Sequence, residues 1–359
     1  MIQADESVVL FPTSAVIDAD GNWRIPLHGW IFEREEDSVW RSGALRLLSR
    51  ALELDRAVTV AGDSADDTGP PAVDSERAIF RRRALWFLSD NERGKRVALR
   101  VGERSEVVGP SSKNGHFVGE LTLPAAEVST RGTTPSEPSQ GEGSNPRDRW
   151  ITVAVEALDP RRAPIEGKVL LLADRGLTVI SDLDDTIKVS EVSSKRALLR
   201  NTFLREFVAV DGMATAYRRL AERGASFHYL SSSPWHLYPE LQRFLDVEPF
   251  PPGTIDLQHF RWKDRTFWSL FRSPEKRKRA AIEEFLRRYP HRTVILVGDT
   301  AELDPEVYAA IARLHPERVE AIYLRNVTEE PRTHARWSEL FAGLPAEQWT
   351  VFEDPAVIR

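Results

Sequence analysis

The stretch Leu177–Lys188, LTVISDLDDTIK, decides how this chain is read. A short apolar, β-branched run, Leu177–Ile180, stops at three carboxylates, Asp182, Asp184 and Asp185, followed by Thr186. Runs of this length and composition read as buried strands. In open α/β sheets, ligands bind at the carboxyl ends of such strands. Carboxylates clustered there cost desolvation and mutual repulsion unless a cation sits among them. An all-oxygen ligand set suits Mg²⁺.

From this strand to the C-terminus the pattern alternates between strand and helix. Helices are expected near Met213–Arg223, Leu237–Phe244, Pro274–Tyr289 and Pro305–Leu314, and strands at Ser226–Leu230, Thr293–Val297 and Arg318–Arg325. Gly224 and Pro290 stand where helices should stop. The alternation predicts a doubly wound parallel sheet of the Rossmann-like α/β class.

A second apolar strand, Val294–Val297, ends in Gly298-Asp299, with Asp304 five positions on. Between the two acidic motifs, FHYL leads into Ser231-Ser232-Ser233-Pro234, and a basic helix start, Glu275-Lys276-Arg277-Lys278-Arg279, precedes the Asp299 strand. Four strand-end or helix-start sites therefore converge on one sheet edge. The set suits phosphoryl transfer. Asp182, at the strand tip, is placed as a nucleophile that forms an aspartyl-phosphate. Asp184, on the same side of an extended chain, suits an acid that protonates the leaving oxygen and then activates water. Mg²⁺ would bridge Asp182, the backbone carbonyl of Asp184 and Asp299. Ser231 can donate to a phosphoryl oxygen, and a lysine near Lys278 can offset developing charge.

Plainer readings exist for several of these residues. Asp184, Asp185 and Thr186 can cap a helix, and Ser231–Ser233 can be an ordinary polar turn. Lys276–Arg279 can be a solvated helix face. Asp304 can cap the helix that starts at Pro305, and we expect it both to cap and to support the metal site. The histidines are scattered without ligand spacing, so His228 and His236 read as packing or rim residues.

Residues 1–173 read as a mostly-β, sandwich-like domain with a helical insertion, and residues 174–359 as the α/β domain. The runs VVLF, WRIPLHGWIF, RALWFL, RVALRV, HFVGELTL, WITVAVEAL and GKVLLLA are expected strands, with turns at Asp18–Asn22 and Ser112–Gly115. A helix is expected from Ser42 to Leu54. Ala61–Glu76 and Thr130–Arg149 are acidic or rich in Ser, Gly, Pro and Thr, and read as disordered loops.

Composition narrows the function class. Of 359 residues, 41% are hydrophobic and 29% charged, which is ordinary for a globular protein, and a net charge of −6 gives no reason to expect nucleic-acid binding. The absence of cysteine excludes disulfides, thiolate metal sites and a cysteine nucleophile. The first residues, MIQADESVVLF, lack a basic and then apolar leader, and no run approaches a membrane span, so a cytoplasmic protein is expected.

At its motifs the chain resembles haloacid-dehalogenase-superfamily phosphatases. The wording SDLDDTIK, FHYLSSSPWHLYP, PPGTIDLQHF, KRAAIEEFLRRYP, VILVGDTAELDPEVY and VEAIYLRNV resembles, more specifically, the catalytic domain of the actin-patch-associated phosphatidate phosphatases, over about residues 165–330. The resemblance implies Asp182 as nucleophile, Asp184 as acid/base, Ser231 as the second-motif hydroxyl, Lys278 as the third-motif lysine, and Asp299 and Asp304 as the acidic fourth motif. Ser232 and Arg277 depart from the Asn and His common there. The resemblance implies Mg²⁺-dependent hydrolysis of phosphatidate to diacylglycerol. The alternatives are the same chemistry on a soluble or polymeric phosphomonoester, and a non-catalytic lipid-binding or scaffold protein. The short separations between motifs leave no room for a large cap. The Phe260–Arg279 stretch mixes Trp262, Phe267, Trp268 and Phe271 with cations, a composition suited to docking peripherally on an anionic phospholipid surface; the plainer reading is that these aromatics pack a small cap or the domain interface.

Overall fold

The structure is a computed structural model and describes residues 1–3, 5–33, 71–125, 127, 148–156, 164–259 and 275–359. Its acidic motifs lie on a six-stranded parallel sheet built from β10 (Arg175–Asp182), β11 (Ser226–Pro234), β12 (Gly253–Gln258), β13 (His291–Asp299), β14 (Val319–Arg325) and β15 (Trp349–Phe352), in the order β12-β11-β10-β13-β14-β15. Strands buried on both faces need near-continuous apolar runs. Val179 and Ile180 on β10 and Val294–Val297 on β13 supply them, all fully buried. The chain leaves β10 in one direction and resumes at β13 in the other. The carboxyl ends of β10 and β13 therefore flank the point where strand order reverses, which is where such sheets open a crevice.

Among the described residues of the second half, six helices follow the strands: α2 (Lys195–Phe203), α3 (Met213–Glu222), α4 (Tyr238–Val247), α5 (Glu275–Arg288), α6 (Asp304–Leu314) and α7 (Ala335–Leu340). An earlier helix, α1 (Pro71–Phe87), crosses from the first half of the chain. The expected strand–helix alternation is observed. Helix α2, strands β12 and β15 and helix α7 were not anticipated.

The first part of the chain forms a second, nine-stranded sheet from β1 (Glu6–Leu10), β2 (Thr13–Ile17), β3 (Asn22–Glu33), β4 (Asp90–Asn91), β5 (Val97–Val101), β6 (Arg104–Val108), β7 (His116–Pro124), β8 (Arg149–Val155) and β9 (Glu166–Leu171). Strand β3 pairs with β7 along most of its length, and β2 joins that half to β9, β8, β5 and β6. Inward residues of both halves, among them Ile25, Leu27 and Leu121 against Leu99, Val153 and Val169, share one core, as expected of a sandwich.

Three expectations are corrected. Arg83–Leu88, read as a strand, lies in and just after α1. Helix-forming residues there bury Phe80, Ala84 and Phe87 at helical spacing, and tertiary packing outweighs the aromatic strand signal. The same helix takes in the end of the acidic segment read as disordered to Glu76, since it starts at Pro71. The end of the Thr130–Arg149 segment is also ordered: Arg149 opens β8, and Asp148 is buried against Arg292. The helix expected at Ser42–Leu54, most of the two loops, and Phe260–Pro274 with its aromatic residues lie outside the described residues. Among the described residues no helix is long and apolar enough to cross a membrane.

The two sheets do not pack as separate bodies. Phe11, Trp30 and Phe32 of the β-rich half share a core with Phe80 and Phe87 of α1 and with Phe203, Trp235 and Leu241. Arg83 of α1, fully buried, donates to the carbonyls of Thr202 (2.7 Å) and Arg205 (2.6 Å) and pairs with Glu240. At the amino end of the parallel sheet, Arg292 donates to Thr178 Oγ1 (2.8 Å), to the carbonyls of Ala173 and Leu177 (2.8 Å each) and to Asp148 (3.2 Å).

This network sets the first prediction. Both partners are buried, at 0% and 3% exposure, so Arg292→Leu strands the Asp148 charge and is expected to lower the unfolding free energy by about 3–5 kcal/mol. Arg24→Ala, in the exposed pair with Glu120, is expected to cost less than about 1 kcal/mol. Urea titrations of both variants check this, and equal losses would contradict it.

Candidate active site

The site is assembled by three strand ends and two helix starts. Strand β10 delivers Asp182, β11 delivers Ser231, β13 delivers Asp299, and the first turns of α5 and α6 deliver Lys278 and Asp304. All five side chains are buried. Lys278 Nζ lies 2.9 Å from Asp182 Oδ1 and 3.3 Å from Glu302 Oε2, and also contacts Asp304 Oδ1. Asp304 Oδ2 accepts from the Asp299 backbone N–H at 3.3 Å. Gly298 makes that approach possible, because a Cβ there would stand 2.2 Å from Asp304 Oδ2.

Carboxylate oxygens of Asp182, Asp299 and Asp304 come within 4.8 Å of one another. Asp299 Oδ1 is occupied, accepting from the N–H groups of Ala301 (2.6 Å) and Glu302 (3.0 Å). Two others are not: Asp182 Oδ2 and Asp299 Oδ2 are buried and accept no hydrogen bond from the described residues. Burial pushes the carboxyl pKa of Asp182 well above the usual carboxylate range against the pull of Lys278, and burial with the neighbouring Asp304 and Glu302 does the same to Asp299. Burial likewise pushes Glu302 to about 7. Two orphaned, desolvated carboxylate oxygens facing an excess of negative charge fit a bound metal cation, which would satisfy both at once.

Asp184 belongs to a different set. Its Oδ2 accepts from Ser231 Oγ at 2.7 Å and from Ser233 Oγ at 3.2 Å, while its Oδ1 accepts from Ser190 Oγ at 2.8 Å and pairs with Lys188 Nζ at 2.7 Å. Burial alone would raise its pKa, but Lys188 and the hydroxyl donors outweigh it and hold the carboxyl at about 2. As a metal ligand Asp184 would thus serve through its backbone carbonyl, since its carboxylate is not among the converging three.

Two plainer readings are overturned. Asp185 caps no helix. It sits at φ 55°, and its carboxylate accepts from the N–H groups of Ser190 and Glu191 (2.8 Å each) and Val192 (2.6 Å), closing the loop that follows β10. Asp304 was expected to cap α6, yet it is the first helical residue and makes no capping bond; its carboxylate is turned to Lys278 and the Asp299 N–H. His228, stacked on Phe285, and His236, stacked on Phe87, are packing residues as expected.

Sequence reading missed Lys188 and Glu302. Lys188 is buried, also lies over the Phe207 ring, and stands four residues after Asp184, the one spacing that hinted at a pair. Glu302 carried no signal, because only the turn between β13 and α6 brings it to Lys278. Arg277 braces the site's edge, donating to Leu257 O (2.5 Å) and Asp256 (3.2 Å). A small cavity beside Ser231 and Lys278 is lined by Leu230, Asp256, Arg277 and Ala281.

Comparison with known proteins centres on this part of the chain. Residues 177–326 match the family model described as "Phosphatidate phosphatase APP1, catalytic domain". A Schizosaccharomyces pombe protein described as "Uncharacterized protein C29B5.04c" is 30% identical over 167 residues, covering 45% of this chain and 27% of its own length. The Saccharomyces cerevisiae "Phosphatidate phosphatase APP1" is 34% identical over 154 residues, covering 42% of this chain and 26% of its own length. The alignments thus reach only about a quarter of either relative. The matched segment spans β10 to β14, the stretch that carries every carboxylate of the site together with Ser231 and Lys278. Residues 177–326 are thus similar to the catalytic domain of the phosphatidate phosphatase APP1.

Proposed function

We propose that this chain is a Mg²⁺-dependent phosphatase acting through an aspartyl-phosphate on Asp182, and that its substrate is phosphatidate. The observation that carries the reading is the pair of orphaned buried oxygens on Asp182 and Asp299 beside Lys278. A binding module has no use for such a costly arrangement. Asp182, Asp299 and Asp304, with the Asp184 carbonyl, would hold the Mg²⁺, which when bound neutralises the carboxylates and lets one anion approach another. The lipid substrate rests on the family match and the relative's name.

The protein's own groups then divide the work. Asp182 attacks phosphorus while the ester P–O bond breaks, and Asp184 gives a proton to the departing alkoxide. Water next attacks the phosphoryl group, Asp184 takes its proton, and phosphate leaves with Asp182 regenerated. Asp184 starts ionised and paired with Lys188. A phosphate dianion arriving beside it would raise its pKa by repulsion, favouring the protonated form the first step needs. Ser231 and Lys278 would hold the phosphoryl oxygens as charge builds. The division of the chain near residue 173 into a β-rich domain and a phosphatase domain is part of the same proposal, as is a peripheral membrane location.

Asp182→Asn and Asp184→Asn are each expected to lower kcat by at least ~10²–10⁴-fold. Asp184→Asn should retain metal affinity, because its carboxylate is not one of the converging three. Near-native turnover by a folded Asp182→Asn protein would overturn the mechanism.

Removing metal gives a second test. EDTA should abolish turnover and Mg²⁺ should restore it. An acid whose folded pKa is raised costs stability once pH exceeds its unfolded value, so Asp299 destabilises the metal-free protein at neutral pH. Asp299→Asn keeps an acceptor for Ala301 and Glu302, and should therefore raise metal-free stability at pH 7, by about 1–2 kcal/mol, while abolishing activity. A metal-free Asp299→Asn protein that melts below wild type would contradict the assignment.

Substrate class is tested by comparing hydrolysis of phosphatidate in mixed vesicles with that of soluble phosphomonoesters. Phosphatidate should be preferred in kcat/KM. A preference for soluble esters would keep the chemistry and discard the lipid.

A further inference from the structure

The nine-stranded sheet carries a second group of metal-ligating side chains that the phosphatase chemistry does not use. His28 on β3 and His116 on β7 are diagonal neighbours on one face of an antiparallel pair, since Trp30 stands opposite His116 and Val118 opposite His28. His259, just after β12 of the other sheet, comes over the same face. One ring nitrogen of each lies within 4.8 Å of the other two. His28 Nε2 and His116 Nδ1 are 3.0 Å apart and share a hydrogen bond, whose proton an ion between them would replace. Two imidazole nitrogens sharing a tetrahedral ion at about 2.0–2.1 Å stand roughly 3.3 Å apart, so this pair is already spaced to share one. The exposed His259 ring supplies the third nitrogen of the group.

We propose that His28, His116 and His259 form a transition-metal site of the Zn²⁺ type, bridging the nine-stranded sheet and the end of β12. The donor set is nitrogen only, which suits Zn²⁺ and its neighbours and not Mg²⁺. The surroundings hold the rings as a metal site requires. His28 packs against Phe11 (4.7 Å between centroids) and edge-on to Trp235 (4.8 Å), His116 stacks on Phe11 (5.6 Å), and the Asn114 amide meets His259 Nδ1 at 3.3 Å. An amide nitrogen can only donate, so His259 Nδ1 accepts in this contact, and an ion bound through Nδ1 would replace the amide. Burial keeps His28 and His116 neutral, the ligating form.

The position gives the site a consequence. His259 begins the connection that ends at α5, the helix bearing Lys278. A metal held by His28, His116 and His259 fixes the start of that connection to the β-rich layer. The site is separate from the acidic centre, so its failure would leave the phosphatase reading intact.

The test uses the full chain, stripped with chelator, desalted and held in saturating Mg²⁺ to fill the acidic centre. Zn²⁺ is titrated by calorimetry, and bound zinc is measured after equilibrium dialysis. Wild type should bind one Zn²⁺ per chain and melt higher with it. Asp299→Asn should bind it equally, whereas His259→Ala should weaken binding by at least ~10-fold and lose the melting shift. His259 is exposed, so this variant is expected to fold; His28→Asn, with circular dichroism as a folding check, gives an independent second reading. No zinc uptake by wild type, or wild-type affinity in His259→Ala, would overturn the proposal and leave the three rings as an aromatic packing cluster.

Discussion

Four carboxylates, Asp182, Asp299, Glu302 and Asp304, share a desolvated space with the Lys278 ammonium at the ends of two adjacent parallel strands. Every larger feature of the second half of the chain serves that arrangement. The apolar strands β10 and β13 hold two carboxylates at neighbouring tips, and Gly298 lets a third come against the backbone. Helix α5 brings in the cation that makes the cluster tolerable. One oxygen each of Asp182 and Asp299 is left without a donor among the described residues. Perturbed carboxylates of this kind cluster at functional sites, which is the ground on which the catalytic role of this cluster is proposed.

Asp184 shows how two carboxylates two residues apart acquire opposite character. Asp182 lies in the acidic group, where burial raises its pKa; Asp184 lies beside Lys188 and the Ser231 and Ser190 hydroxyls, which outweigh burial and lower its own. In the metal-free protein this order is the reverse of what the proposed first step needs, an ionised Asp182 and a protonated Asp184; a cation bound beside Asp182 and a substrate dianion beside Asp184 would each shift its neighbour the required way. The β-rich layer supports the same edge from outside. Phe11, Trp30 and α1 pack on Trp235 and Phe203, next to the β11 turn that carries Ser231 and Ser233, so the first half of the chain is part of the wall that keeps this turn in place.

Most of the parallel sheet and the central site residues were legible in the sequence, because continuous apolar runs that end in Asp, Ser or Gly carry both strand and site signals. Asp182, Ser231, Lys278, Asp299 and Asp304 do converge. What escaped was set by tertiary contact. Arg83–Leu88 has the aromatic content of a strand, yet Phe80, Ala84 and Phe87 face one core only as a helix. Asp148 ends a Gly/Ser/Pro-rich stretch and looked solvated, but Arg292, far along the chain, draws it inside. Glu302 and Lys188 needed the loop geometry to reveal their partners. The three histidines, at positions 28, 116 and 259, have no sequence spacing at all; only the pairing of β3 with β7 and the approach of β12 bring them together.

The central claim is that Asp182 is the group that takes the phosphoryl unit. Acid-quenching the enzyme during turnover of phosphatidate, followed by proteolysis and mass spectrometry, tests it most directly. The account predicts one phosphate on the peptide spanning Asp182, absent in Asp182→Asn. Turnover without a trapped adduct under quench conditions that preserve acyl phosphates, or phosphate on any other residue, would contradict it.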